Sequence, residues 1–155
     1  MKRTVVLAAC LAVAVPGVLK AQHGADPQGH PEAAAVTRAA LDYLEGFYEG
    51  DTDKIRRGVH PEVTKYGFYR RNGAELYEGS AMPFEDMLAF ANRVRESGRT
   101  RSEDTVKEVI LLDILDQTAA VKVVAYWGTD YLQLAKYDGE RKILHVLWQS
   151  APAEH

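Results

Sequence analysis

Cysteine is nearly absent from this sequence. The only one, Cys10, sits close to the start of the 155 residues. A chain without it has no disulfide, no thiolate metal site and no cysteine nucleophile, which suits an oxidising compartment because no thiol is left to mispair. Long apolar runs are also missing. The one candidate, "TVVLAACLAVAV" from Thr4, is too short to cross a bilayer. Neither sign of charge dominates: 19 Lys and Arg stand against 22 Asp and Glu, giving a net charge of −3. Basic stretches such as "RVRESGRTR" are interleaved with acids and read as solvated faces, so nucleic acid is not an expected partner. There is no phosphate loop, no Gly-x-Ser-x-Gly, no zincin signature and no metal-ligand spacing, so the expectation is no cofactor and no metal.

Residues 1–21 have the pattern of an export signal. Lys2 and Arg3 precede the apolar run, Pro16-Gly17 breaks it, and Ala21 is a small residue suited to cleavage. The expected product is periplasmic or secreted, with no transmembrane segment; "LAAC" leaves a lipoprotein as the minor alternative. Loss of Lys2, Arg3 and Lys20 takes the formal charge from −3 to about −6. Residues 22–31, rich in Gly, Pro, His and Gln, read as a flexible lead-in containing His23 and His30. A single domain is expected over residues 32–150, and 151–155 form a tail ending at His155.

Within the domain, Val36, Ala40, Tyr43, Leu44, Phe47 and Tyr48 recur at helical spacing and form one apolar face. Gly46 interrupts it and suits close packing on a sheet. Asp51 or Thr52 caps a short second helix ending at Gly58, and His60-Pro61 opens a connection. A hairpin follows: "EVTKYGFYRR", a turn at Asn72-Gly73, and "AELYEG". The next helix spans "MPFEDMLAFANRVRESG", with Phe84, Met87, Leu88, Phe90, Ala91 and Val94 facing inward. Four strand-like runs then fill the remainder, broken at Asp116-Gln117, Gly128 and Asp138-Gly139, which implies an antiparallel meander. Helices segregated to one face of a curved antiparallel sheet make an α+β cone whose mouth can hold a ligand.

The order of these elements, with "GFYEGD", "HPEVTK" and "TDYLQLAKYDGERKILHVLWQ", resembles the nuclear-transport-factor-2-like (NTF2-like), or cystatin-like, superfamily. Within it the sequence is most similar to the group described as putative lumazine-binding proteins, over about residues 33 to 150. The resemblance implies the cone fold. It does not fix a role, because the superfamily hosts isomerases, dehydratases, polyketide cyclases and transport adaptors.

Four residues are candidates for acid–base work: His60, Asp113, Tyr131 and His145. His60 stands near the cone mouth as a general base or ligand donor; its bland alternative is an imidazole donating to a carbonyl at the end of the short helix. Alternation places His145 with Ile143, Leu147 and Gln149, as core or as pocket lining. Asp113 falls in phase with Val109, Leu111 and Leu115; it either meets His145 across the sheet or lies on the outer face at a bulge. Asp130 reads as closing a turn with Gly128 and Thr129. The expected pocket residues are Tyr43, Phe47, His60, Tyr66, Trp127, Tyr131 and His145, with Lys65 also placed to touch a ligand. The leading expectation is a homodimeric protein that binds a small apolar or aromatic molecule. An isomerase, dehydratase or cyclase, and a protein-interaction module using the sheet face, are the alternatives.

Overall fold

The computed structural model describes residues 26–71 and 74–152. The expected export signal with Cys10, His23, the expected turn at Asn72-Gly73 and His155 lie outside the described residues. A single 3-10 turn, Pro27–Gly29, precedes helix α1 (Ala33–Glu49), the short α2 (Thr52–Gly58), strand β1 (Val59–Tyr69), β2 (Glu78–Ala81), α3 (Phe84–Glu96), and strands β3 (Lys107–Ile114), β4 (Thr118–Ala125), β5 (Gly128–Tyr137) and β6 (Glu140–Ser150).

The strands form one sheet in the order β2-β1-β6-β5-β4-β3. The meander β3 to β6 is antiparallel throughout, but β1 runs parallel to β6, so the sheet is mixed rather than wholly antiparallel. The helices cover its inner face. Tyr43, Leu44, Ile55 and Met87 are fully buried against Val121, Val123, Leu132 and Ile143. Each large apolar side chain buried this way contributes about 1.5–3 kcal/mol.

Several local expectations need correcting. His60-Pro61 is not a connection: both residues lie inside β1, where the pairing with β6 slips between Val59 and Thr64. Pro61, which has no N–H to give to a ladder, sits in that irregularity. The return strand is Glu78–Ala81, starting four residues later than "AELYEG". The break before β5 is the Tyr126-Trp127 turn, and Gly128 already belongs to the strand. Gly46 makes room for α2 and not for the sheet: a Cβ there would lie 2.5 Å from Ile55 Cγ1. Asp51 is the cap of α2, its carboxylate accepting from the Asp53 and Lys54 N–H groups at 2.8 and 3.1 Å. On α3, Phe84, Met87, Leu88 and Ala91 are buried, while Phe90 and Val94 are half-buried.

Two bulges decide which side chains look into the cone. In β6, Gln133 pairs with His145 but Leu134 pairs with Ile143, which leaves Leu144 as an extra residue. The phase reverses there. Arg141 and Ile143 point inward before it, Val146 and Trp148 after it, and His145 faces out. In β3 the same happens at Leu112, between Leu111 and Asp113. One added residue flips the alternation of everything beyond it.

Candidate functional site

The inner face of the sheet carries two rows side by side near the open end of the cone. One runs Lys65, Val146, Leu132, Val121; the next runs Gly67, Trp148, Asp130, Val123. Gly67 is required by Trp148, since a Cβ at that position would lie 1.7 Å from the indole Nε1. Lys65 and Asp130 stand two strands apart, and Tyr43 descends from α1 to bridge them. Its hydroxyl donates to Asp130 Oδ2 at 2.5 Å and accepts from Lys65 Nζ at 2.5 Å. The second Asp130 oxygen accepts the Trp127 indole N–H at 2.7 Å. Lys65 Nζ lies 3.9 Å from Asp130 Oδ2. The turn that presents Trp127 is held by Tyr48, whose hydroxyl oxygen accepts the Tyr126 N–H at 3.2 Å.

All three members of the bridge are buried: Tyr43 and Asp130 at 0% exposure and Lys65 at 7%. Removal from water disfavours the ammonium and pushes the Lys65 pKa from 10.5 down to about 8, with Asp130 opposing the shift. Burial, then the nearby Asp130 charge, pushes the Tyr43 hydroxyl well above its usual value. The ammonium also sits 4.8 Å from the centroids of the Tyr43 and Phe47 rings and 5.8 Å from that of Trp148, near enough for cation–π attraction.

Lys65 lines a cavity of about 240 Å³, otherwise walled by Phe47, Met82, Phe90, Tyr126, Trp127 and Trp148. Among the described residues its amine has one hydrogen-bond partner, Tyr43. An ammonium carries three N–H bonds, so two remain for an occupant. Aliphatic cavities of about 150 Å³ accept a benzene ring, so this one has room for one to two rings.

Of the seven pocket residues expected from sequence, Phe47 and Trp127 line this cavity, and Tyr43 lies behind it in the bridge. The other four lie elsewhere. His60 is five residues from Lys65 along β1, roughly 15 Å. Its ring stacks on Tyr137 at 4.3 Å, and its Nδ1 accepts the Glu62 N–H rather than capping the helix carbonyls. Tyr66 and Tyr131 project from the outer face, at 41% and 52% exposure. His145 is turned out by the Leu144 bulge. Asp113 is exposed and shares an outer-face row with Ala120, Gln133 and His145; three strand spacings, about 14 Å, separate it from His145. The Asp113–His145 pair does not form. Asp130 closes no turn, since it is a core carboxylate with two donors.

Sequence reasoning gave Asp130 to a turn and placed Lys65 near a ligand without pairing the two. The signal was present in the alternation. In "TDYLQL", Asp130 shares its phase with Leu132 and Leu134, and in "VTKYG", Lys65 shares its phase with Val63. A charge in phase with core residues on each of two strands is the mark of an internal ion pair.

Among the described residues no cluster of His, Cys, Asp and Glu could hold a metal ion, and no helix is long and apolar enough to cross a membrane. A family model described as "Putative lumazine-binding" matches residues 31–149. The chain belongs to this family. Solved structures similar to this lumazine-binding-family chain share its fold. One is an NTF2-like protein of unknown function from Shewanella baltica, 16% identical, with a TM-score of 0.60 over 79% of this chain and 95% of that one. Another is a Nostoc punctiforme domain of unknown function with a cystatin-like fold, 12% identical, TM-score 0.54, covering 79% and 78%. A third, from Novosphingobium aromaticivorans, is described as a putative scytalone dehydratase; it is 12% identical, with a TM-score of 0.54 over 78% of this chain and 85% of that one. At these identities the likeness establishes the α+β NTF2-like fold. No curated protein matches the chain.

Proposed function

We propose that this chain is an exported binding protein for a compact, planar, largely apolar molecule bearing a hydrogen-bond acceptor. The observation that carries this reading is Lys65: a buried amine with one partner, lining an aromatic cavity. Aromatic walls select flat rings by stacking and edge contacts, and the open N–H bonds select an oxygen or nitrogen acceptor. A site that supplies donors discriminates against isosteres lacking the acceptor, because its buried polar group is then left unpaired.

The family description makes lumazine, a flat fused-ring dione, the first molecule to test. Titration with lumazine, followed by the fluorescence of Trp127 and Trp148, is expected to give saturable quenching that Lys65→Met weakens at least about tenfold, the loss of one charge-assisted hydrogen bond. Native mass spectrometry of protein taken from its own compartment would show a retained ligand directly. No saturable response to lumazine or to phenols and lactams of similar size would refute the reading.

The acid–base set His60, Asp113, Tyr131 and His145 does not support an isomerase or dehydratase at this cavity, because none of those groups lines it: Asp113, Tyr131 and His145 lie on the outer face of the sheet and His60 stacks on Tyr137. The outer face of the sheet supports a homodimer. Tyr66, Phe68, Leu112, Tyr131 and Leu147 are each between 41% and 52% exposed there, and an apolar face of that kind is normally covered.

A further inference from the structure

The hydrogen bonds around Lys65 have a direction, and it bears on reactivity. The Asp130 carboxylate accepts on both oxygens, from Tyr43 and from Trp127. The Tyr43 proton is therefore committed to Asp130, and towards Lys65 the hydroxyl oxygen can only accept. A neutral Lys65 amine engages Tyr43 through one of its own N–H bonds, so its lone pair is left unengaged. Had Tyr43 donated to the amine, the lone pair would have been blocked.

We propose that Lys65 is a nucleophile that captures a small aromatic aldehyde in the cavity as an imine. The inference rests on the cavity being a ligand site and narrows the acceptor to an aldehyde carbonyl.

The ammonium passes a proton to Tyr43 Oη as Tyr43 passes its own to Asp130 Oδ2. The freed lone pair forms the C–N bond at the carbonyl carbon while the C=O π pair moves to oxygen. The proton held on Asp130 returns through Tyr43 to the site, the nitrogen gives up a second proton, and the oxygen receives both and leaves as water. The nitrogen pair closes the C=N bond. The net change is ammonium plus aldehyde to protonated imine plus water, with no oxidation or reduction. A protonated imine nitrogen would replace the ammonium opposite Asp130, 3.9 Å from Oδ2, and among the same rings.

Burial supports the step. With a pKa of about 8, roughly one amine in ten is neutral at pH 7, against about three in ten thousand for an ordinary lysine at 10.5, an advantage of about 300-fold.

The test treats the intact protein with benzaldehyde and sodium cyanoborohydride at pH 7. Hydride addition to an imine carbon fixes it as a benzylated amine. Intact mass and peptide mapping are expected to show one benzyl group on Lys65, formed at least about tenfold faster than on any other lysine and saturating with benzaldehyde. Lys65→Arg, which keeps the charge, should remove that fast phase. Labelling spread over surface lysines without preference overturns the proposal. Benzyl alcohol, which fits the same space and cannot form an imine, identifies the cause. If it quenches tryptophan fluorescence saturably, the cavity reading stands and the covalent step alone has failed. If it does not bind, both have failed.

Discussion

Asp130→Asn isolates the charge at the centre of the site. The substitution preserves shape but replaces a two-oxygen acceptor with one oxygen and an NH₂ group. The Tyr43 hydroxyl and Trp127 N–H, at 2.5 and 2.7 Å from Asp130, then compete for one acceptor, and the loser is buried unpaired at a cost of about 1–3 kcal/mol. The second effect falls on Lys65. With its pKa at about 8, protonation of the folded state at pH 7 contributes about 1.4 kcal/mol, one pKa unit. Without the counter-charge the pKa falls further, and that contribution is lost at pH 7. At pH 9 the Lys65 of the parent protein is already mostly neutral, so there is almost nothing to lose. The expected destabilisation is therefore about 3 kcal/mol at pH 7 and about 2 kcal/mol at pH 9. Urea unfolding at the two pH values measures both, with midpoint shifts on the order of 2 M and 1 M. Equal losses at pH 7 and pH 9 would refute the coupling of Asp130 to Lys65.

The same groups set the alkaline profile of the parent protein. Lys65 has a depressed folded pKa, so its share of stability is lost as pH falls from 10.5 through about 8. Tyr43 has a raised one, so its share is lost as pH rises beyond 10. Stability is expected to rise from pH 8 to 10 and then fall, and Lys65→Met should abolish the rise in urea titrations across that range. Gly67→Ala should displace the Trp148 indole, cost about 1–3 kcal/mol by overpacking, and shift the tryptophan emission; an unchanged spectrum would count against the Gly67–Trp148 contact. Glu32 accepts from Lys136 and Arg141, which hold its carboxyl below the usual range. Glu32→Gln should lower the melting temperature at pH 7, and the difference from the parent should shrink as pH falls below the usual carboxylate range. Leu147→Glu on the outer face should convert a dimer to monomer in sedimentation while leaving lumazine affinity unchanged; a parent protein that sediments as monomer would reject the dimer.

The elements were legible because their signals are local. Helical spacing in α1 and α3, the Asp51 cap and the breaks between β-runs each sit within a few residues, and together they place three helices against a meander. What failed to show was set by pairing. The parallel contact of β1 with β6 joins segments some eighty residues apart, and no local pattern announces it. His145 and Asp113 were misplaced by the bulges at Leu144 and Leu112, which appear only once a strand is read against its partner. The candidate site suffered differently. The eye goes to histidines as chemical groups, but both strand histidines in the described chain lie off the cavity, and the buried charges beside it are a lysine and an aspartate in phase with the core.

That phase is itself an argument about function. Holding the Lys65 ammonium at pH 7 costs about 3 kcal/mol relative to the unfolded chain, from the shift of 10.5 to about 8. Replacing such a pair by packed hydrocarbon is commonly neutral or stabilising, and the surrounding rings of Phe47, Trp127 and Trp148 would accommodate a methionine. A fold stabilised only by its core has no use for an amine there. Departures from the apolar rule concentrate where a protein meets its ligand. Here the departure coincides with the cavity, with an amine that has one partner, and with a tyrosine oriented to leave the nitrogen lone pair unengaged. A structural ion pair would require the first of these costs and none of the other three features. Their convergence on Lys65 is the reason to look for the ligand at that nitrogen rather than at the exposed histidine of β6.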